Sequence, residues 1–219
     1  MRYLFLLLSV GDLAGNLFFE PLHTFCKPFL LVSLMLYFWQ NIPKTHTNFP
    51  YWILAALAFS WAGDVFLLFK GETFFIAGLG SFLIAHLLYL VAYQDTHEAG
   101  KPRLIAQKPY LLFPFTLYLV VFYAFLYPYL GDLAVPVGIY AMVLANMGIL
   151  ALNRYRHTTQ ASFNWIMAGA LCFMLSDSWL SVHLFVLKDS SPLSGFCVML
   201  TYLTAQYAIV HGALLHLKK

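Results

Sequence analysis

Eight apolar runs, each near the length that crosses a lipid bilayer, govern what this chain can fold into. They fall at 3–19, 22–39, 50–69, 74–94, 110–130, 133–152, 162–187 and 193–216, and a bilayer-spanning helix needs about 20 residues. The breaks between them include NIPKTHTN at 41–48, KGE at 70–72, DTHEAGKPRLIAQK at 95–108, GD at 131–132, NRYRHTTQ at 153–160 and KDSSP at 188–192. Their Pro, Gly and charges end helices, and their shortness makes neighbouring spans antiparallel. With 62% hydrophobic residues, 10% charged residues and a mean hydropathy of +0.77, the chain has too little polar surface to cover a soluble globule. The expected fold class is all-α: a polytopic membrane bundle of eight transmembrane helices, forming a single transmembrane domain over 1–219.

Charge gives the orientation. A cytoplasmic N-terminus puts Arg2, Lys44, Lys101, Arg103, Lys108, Arg154, Arg156, Lys218 and Lys219 on the cytoplasmic side, which leaves Lys27, Lys70 and Lys188 on the other. The positive-inside rule then places both N- and C-termini in the cytoplasm. The net charge of +3 belongs to loops and gives no sign of nucleic acid. Short loops and small size point to a bacterial inner membrane, although an endoplasmic reticulum protein could read similarly. The first run imitates a secretory signal. Asp12, Asn16 and Glu20, however, recur at i, i+4 and i+8 on one helix face, which predicts a retained helix with a polar stripe towards the bundle interior. Cys26, Cys172 and Cys197 sit in apolar runs without metal-ligand spacing and read as buried apolar residues.

Two carboxylates stand out against this apolar background. Asp177 lies inside GALCFMLSDSWL at 169–180 and Asp64 inside SWAGDVFLLF at 60–69, each preceded by Ser or Gly and followed by an aromatic residue and Leu. A carboxylate in a bilayer core is costly and is kept for chemistry, ion passage or a buried partner. Two in matching settings predict a paired site. Other polar groups gather in the outer half: Lys27, which shares a helix face with His23, and Tyr202 with Gln206 at i, i+4. His86, near the middle of the fourth run, has Phe82, Tyr89 and Tyr93 beside it, and Ser176 precedes Asp177. Each has a structural reading too: Lys27 can snorkel to the interface, and His86 can hydrogen-bond between helices. Asp177, His183, His86 and His211 are conceivable metal ligands. Asp177 and His183 are six apart and point differently, and no HxxxH or HxxH occurs, so the site is read without a metal.

Several motifs together resemble the YhhN-like family of integral membrane proteins, which includes the animal lysoplasmalogenases. They are KP at 27–28, GDVFL at 63–67, FxxGxxxFxxxHxxY at 75–89, PVGIY at 136–140, GALxFxxSDxxL at 169–180 and TYxxAQxxI at 201–209. The resemblance implies hydrolysis of the vinyl ether bond of lysoplasmalogens to a fatty aldehyde and glycerophosphoethanolamine or glycerophosphocholine. It implies a lysophospholipid substrate amid membrane lipids and no cofactor. Two carboxyls suit this chemistry. One protonates the vinyl β-carbon, and the other, ionised, stabilises the oxocarbenium ion or activates water. Asp177 is expected as the acid and Asp64 as its ionised partner, although the roles could be reversed. Lys27 is expected to meet phosphate or tune Asp64. His86, Tyr202, Gln206, Tyr140 and Ser176 make up the rest of the expected substrate-binding set. Two other classes compete: a proton-coupled transporter of lipid or amphiphile, in which both aspartates titrate, and a zinc-dependent lipid hydrolase.

Overall fold

In an apolar medium every backbone amide must find its partner within the protein, and a helix achieves this within one segment. All eight apolar runs are helical in the computed structural model, which describes residues 1–97, 100–188 and 191–218. Lys219, counted above among the cytoplasmic cations, lies outside the described residues. The helices are α1 (Arg2–Phe18), α2 (Glu20–Asn41), α3 (Phe49–Phe66), α4 (Glu72–Asp95), a short α5 (Leu104–Gln107), α6 (Phe113–Leu130), α7 (Ala134–Asn153), α8 (Gln160–Ser181) and α9 (Pro192–Leu217). No strand occurs among the described residues. Among the described residues, six stretches are long and apolar enough to cross a membrane: Glu20–Asn41, Phe49–Phe66, Glu72–Asp95, Pro109–Asn153, Gln160–Leu187 and Pro192–Leu217. The fourth is 45 residues long and holds both α6 and α7, broken at Gly131, whose φ of 52° ends α6. The 17-residue α1 stays outside this set.

Two local features differ from the sequence expectation. Phe19 adopts an extended conformation (φ −155°, ψ 85°) between α1 and α2, so Glu20 begins a new helix and is exposed. The polar stripe therefore stops at Asn16. Of the three cysteines only Cys26 is buried; Cys172 and Cys197 are half-buried, and all are free thiols.

The most extensively packed helix pair is α8 with α9, followed by α3 with α4 and α1 with α2. Small residues make the first seam possible. A Cβ added to Gly169 would sit 2.7 Å from Ile209 Cγ1, and one added to Gly212 would sit 2.7 Å from Ile166 Cγ1 and 3.0 Å from its backbone nitrogen. In a membrane, where lipid is as apolar as leucine, such close packing is a main source of helix association. Polar bonds reinforce the seam: Ser162 Oγ donates to the Gly212 carbonyl (2.8 Å) and Ser176 Oγ to the Val198 carbonyl (3.1 Å).

At the Thr96 end of α4 lies a residue that the sequence placed among connector charges. Arg154 is only 1% exposed. Its guanidinium packs over the rings of Phe49 (5.9 Å) and Tyr93 (5.7 Å) and donates to Thr96 Oγ1 (3.2 Å) and Ser162 Oγ (3.1 Å). The connector folds back at this point, and α3, α4 and α8 enclose the side chain.

Substituting Gly212→Val should lower stability by about 1–3 kcal/mol through overpacking of the seam. Gly80→Ala, where an added Cβ meets nothing within 4 Å, should leave it unchanged. Unfolding of the two variants in mild detergent checks the contrast.

Candidate active site

Asp177 lies near the end of α8, whose last regular turn runs into the wider π-helical turns Val182–Leu187. Such widened turns recur at functional sites. Here they help to form the wall of an apolar cleft. The cleft holds about 430 Å³ of empty space, counting its open mouth, and Asp177, Tyr140, Phe82, Ser181, Leu184 and Phe185 are among its lining. A second cleft of about 320 Å³, bordered by Tyr118, Phe122 and Leu144, shares Val137, Tyr140, Asp177 and Ser181 with the first. The carboxyl of Asp177 thus stands where two apolar clefts meet.

Its partners come from α7 and α4. Tyr140 donates its hydroxyl proton to Asp177 Oδ2 at 2.5 Å. His86 Nε2 lies 3.6 Å from the same oxygen, too far for a hydrogen bond. The other ring nitrogen, Nδ1, is 2.7 Å from the Phe82 carbonyl oxygen. A carbonyl only accepts, so Nδ1 carries a hydrogen, and a neutral His86 turns a bare lone pair at Nε2 towards Asp177.

Asp64, near the end of α3, is 4% exposed and accepts a hydrogen bond from Tyr202 of α9 at 2.7 Å. It is absent from the lining of either cleft. Phe82 stands between the two centres, since its ring lines the first cleft and meets the Tyr202 ring edge-on at 6.0 Å. Phe173 completes the partition, with its ring 4.6 Å from His86 and 5.5 Å from Tyr202. The two aspartates are therefore near neighbours across an aromatic wall, each with its own tyrosine.

The remaining expected residues divide in the same way. Gln206 is fully buried behind the wall and accepts from the Tyr89 hydroxyl at 2.6 Å. Ser176 bonds across the α8–α9 seam and does not line either cleft. Lys27 is half-buried on α2 and acts on Asp64 through its charge without a direct ion pair among the described residues. Among the described residues, no group of three or more His, Cys, Asp and Glu is arranged to hold a metal ion. His211, one of the conceivable ligands, instead packs against Trp165 and Tyr207.

Two arrangements escaped the sequence. The Tyr118 hydroxyl lies 2.6 Å from Ser178 Oγ beside Asp177 in the second cleft. In α1, fully buried Asp12 meets His23 of α2 at 2.9 Å, and Asn16 meets the same ring nitrogen at 2.7 Å. Helical spacing groups Asp12 with Asn16, but their partner lies on another helix, so no periodicity within one run reveals the contact.

The model of the YhhN family matches residues 22–213. The chain belongs to that family. The matched span contains Asp64, His86, Tyr140, Asp177 and Tyr202 and omits Asp12 and Asn16. Among relatives of this YhhN-family chain, lysoplasmalogenase TMEM86A of Bos taurus is 30% identical over 169 residues, 74% of this chain and 64% of the relative. Lysoplasmalogenase TMEM86B of Rattus norvegicus is 32% identical over 190 residues, 86% of this chain and 71% of the relative. A lysoplasmalogenase of Mycobacterium bovis is 31% identical over 144 residues, 64% of this chain and 52% of the relative. The chain thus spans somewhat under two thirds of the bovine protein's length. No solved structure matches it.

A double-mutant cycle on Asp64→Asn and Tyr202→Phe should return a coupling of about 0.5–3 kcal/mol, the range for residues in one hydrogen-bonded network. Unfolding of the four proteins in detergent measures it, and strict additivity would show that the bond contributes nothing.

Proposed function

We propose that this protein is a lysoplasmalogenase, cleaving the vinyl ether bond of lysoplasmenylethanolamine or lysoplasmenylcholine. The observation that carries the reading is the carboxyl of Asp177, set at the junction of two apolar clefts in a member of a family whose named relatives are lysoplasmalogenases. Clefts of this kind accept a hydrocarbon chain, and they bring a proton donor to the side of a weakly polar bond.

Asp177 is the general acid. Its proton passes to the vinyl β-carbon, and the C=C electron pair forms the new C–H bond, leaving an oxocarbenium ion. Water adds to the carbon next to oxygen and returns a proton to the Asp177 carboxylate. The hemiacetal then breaks its C–O bond to give fatty aldehyde and the glycerol hydroxyl. Geometry at His86 supports the starting state. A neutral imidazole lone pair facing an ionised carboxylate is unfavourable, so beside a neutral His86 the Asp177 carboxyl sits best with its proton on. Tyr140 orients the carboxyl through Oδ2.

Asp64 acts from behind the aromatic wall, as an ionised group held by Tyr202 and charge-coupled to Lys27. It stabilises the cation through space rather than by touching water or substrate. Tyr202 and Gln206 support that carboxylate, and Ser176 holds α8 to α9. The chain forms one membrane domain of eight spans with both termini in the cytoplasm, a reading supported by the Lys and Arg distribution. The end of the Asp177 cleft lined by Leu184 and Phe185 then faces the opposite side, where a lysolipid headgroup can stay in water.

Full-length protein in detergent, given lysoplasmenylethanolamine, should release aldehyde at a rate unaffected by a strong chelator. Asp177→Asn should reduce it about 100-fold or more, the usual weight of a general acid, with folding retained. No aldehyde from folded wild type, or near-normal turnover in the variant, would sink the proposal. Loss of activity on chelation would point to zinc chemistry instead.

A further inference from the structure

The Thr96 end of α4 carries a second, differently built cavity. About 630 Å³ of empty space is bordered by Lys101, Gln107, Tyr155, Arg156 and His157, with Pro102 and Leu104 as its apolar side. A smaller adjoining space of about 220 Å³ shares His157 and adds His97, Arg103 and Asn153. Among the described residues, no Asp or Glu lines either space. The His97 and His157 rings stack with centroids 4.3 Å apart, which joins the two spaces. Arg156 takes a left-handed conformation (φ 64°), uncommon for a residue of its size.

Arg154 lies beneath this region. Its guanidinium bonds to Thr96 and packs on Tyr93, both of which line the smaller space. It makes no ion pair with a carboxylate among the described residues, and Nη1 has no hydrogen-bond partner. A buried cation without a counter-ion is costly, and Lys101, Arg103 and Arg156 line the spaces beside it. An anion in the pocket above would offset that cost. Arginine forks suit phosphate oxygens in particular, through paired N–H donors.

We propose that the Lys101–Arg103–Arg156–His157 pocket is a binding site for a phosphate-bearing anion. It is separate from the Asp177 centre: Phe82 lines the catalytic-side cleft and Thr96 the basic one, and the 14 intervening steps of α4 correspond to about 21 Å of helix. Two sources supply such a group, the headgroup of an anionic membrane lipid and free phosphate. Basic pockets at the end of a helical bundle take the former readily, and Leu104 and Pro102 offer its glycerol an apolar edge.

Full-length protein in a neutral detergent, tested at constant ionic strength, distinguishes these sources. One arm adds inorganic phosphate in place of chloride, and the other adds dioleoylphosphatidylglycerol with phosphatidylcholine as control. Binding is read by native mass spectrometry and by thermal unfolding. The expected result is a bound anion and a raised unfolding temperature in at least one arm, with phosphate alone sufficing for a soluble ligand and phosphatidylglycerol alone for a lipid. Arg103→Gln with Arg156→Asn should weaken binding at least tenfold; Asn tolerates the left-handed backbone, and both positions are exposed. Lys101→Gln with Arg103→Gln, which leaves residue 156 untouched, should act in the same direction. No binding in either arm, or undiminished binding by both variants, would overturn the proposal.

Discussion

Close approach of α8 and α9 is the constraint on which the rest depends. Gly169 and Gly212 let side chains from the facing helix lie where a Cβ would otherwise project, and the Ser162 and Ser176 hydroxyls tie the two backbones together. Asp177 is on one of these helices and Tyr202 on the other. The distance between the two polar centres is thus a property of a packed seam, not of a loop. In lipid, where burial of apolar surface gives no advantage between helices, that seam relies on contact density and hydrogen bonds.

Within the frame, aromatic rings separate charges that helical order brings close. Phe82 and Phe173 isolate the Asp64–Tyr202 pair from the Asp177–Tyr140–His86 group. Each carboxyl receives one tyrosine hydroxyl from a different helix, α9 for Asp64 and α7 for Asp177. The arrangement gives two similar residues different surroundings: one borders open space and the other is enclosed. Such asymmetry is what allows two carboxyls to play unlike parts in one reaction.

Much of this was legible in the chain. Eight apolar runs correspond to eight long helices because hydropathy and backbone satisfaction impose the same solution. Asp64, Asp177 and Tyr202 stand out because polar groups in apolar runs are few. What was hidden involves contacts between runs. The sequence groups Tyr202 with Gln206 at one helical turn, but it does not show that Tyr202 also donates to Asp64 or that Gln206 accepts from Tyr89. Ser176 adjoins Asp177 in sequence but points its bond to α9. Glu20 left its predicted stripe because one extended residue, Phe19, resets the helix. Arg154 looked like a connector charge because composition shows that a charge is present but not which helices close over it.

Arg154 also links helices that are far apart in the chain. Its enclosure needs Ser162 from α8, whose hydroxyl is in turn anchored to Gly212 of α9. Both helices follow Arg154 along the chain. Its other partners, Phe49, Tyr93 and Thr96, precede it, so the buried site of this one cation is built from chain segments on both sides of it in sequence. A single side chain thus ties α3, α4 and α8 together, and α9 joins them through the Ser162–Gly212 bond.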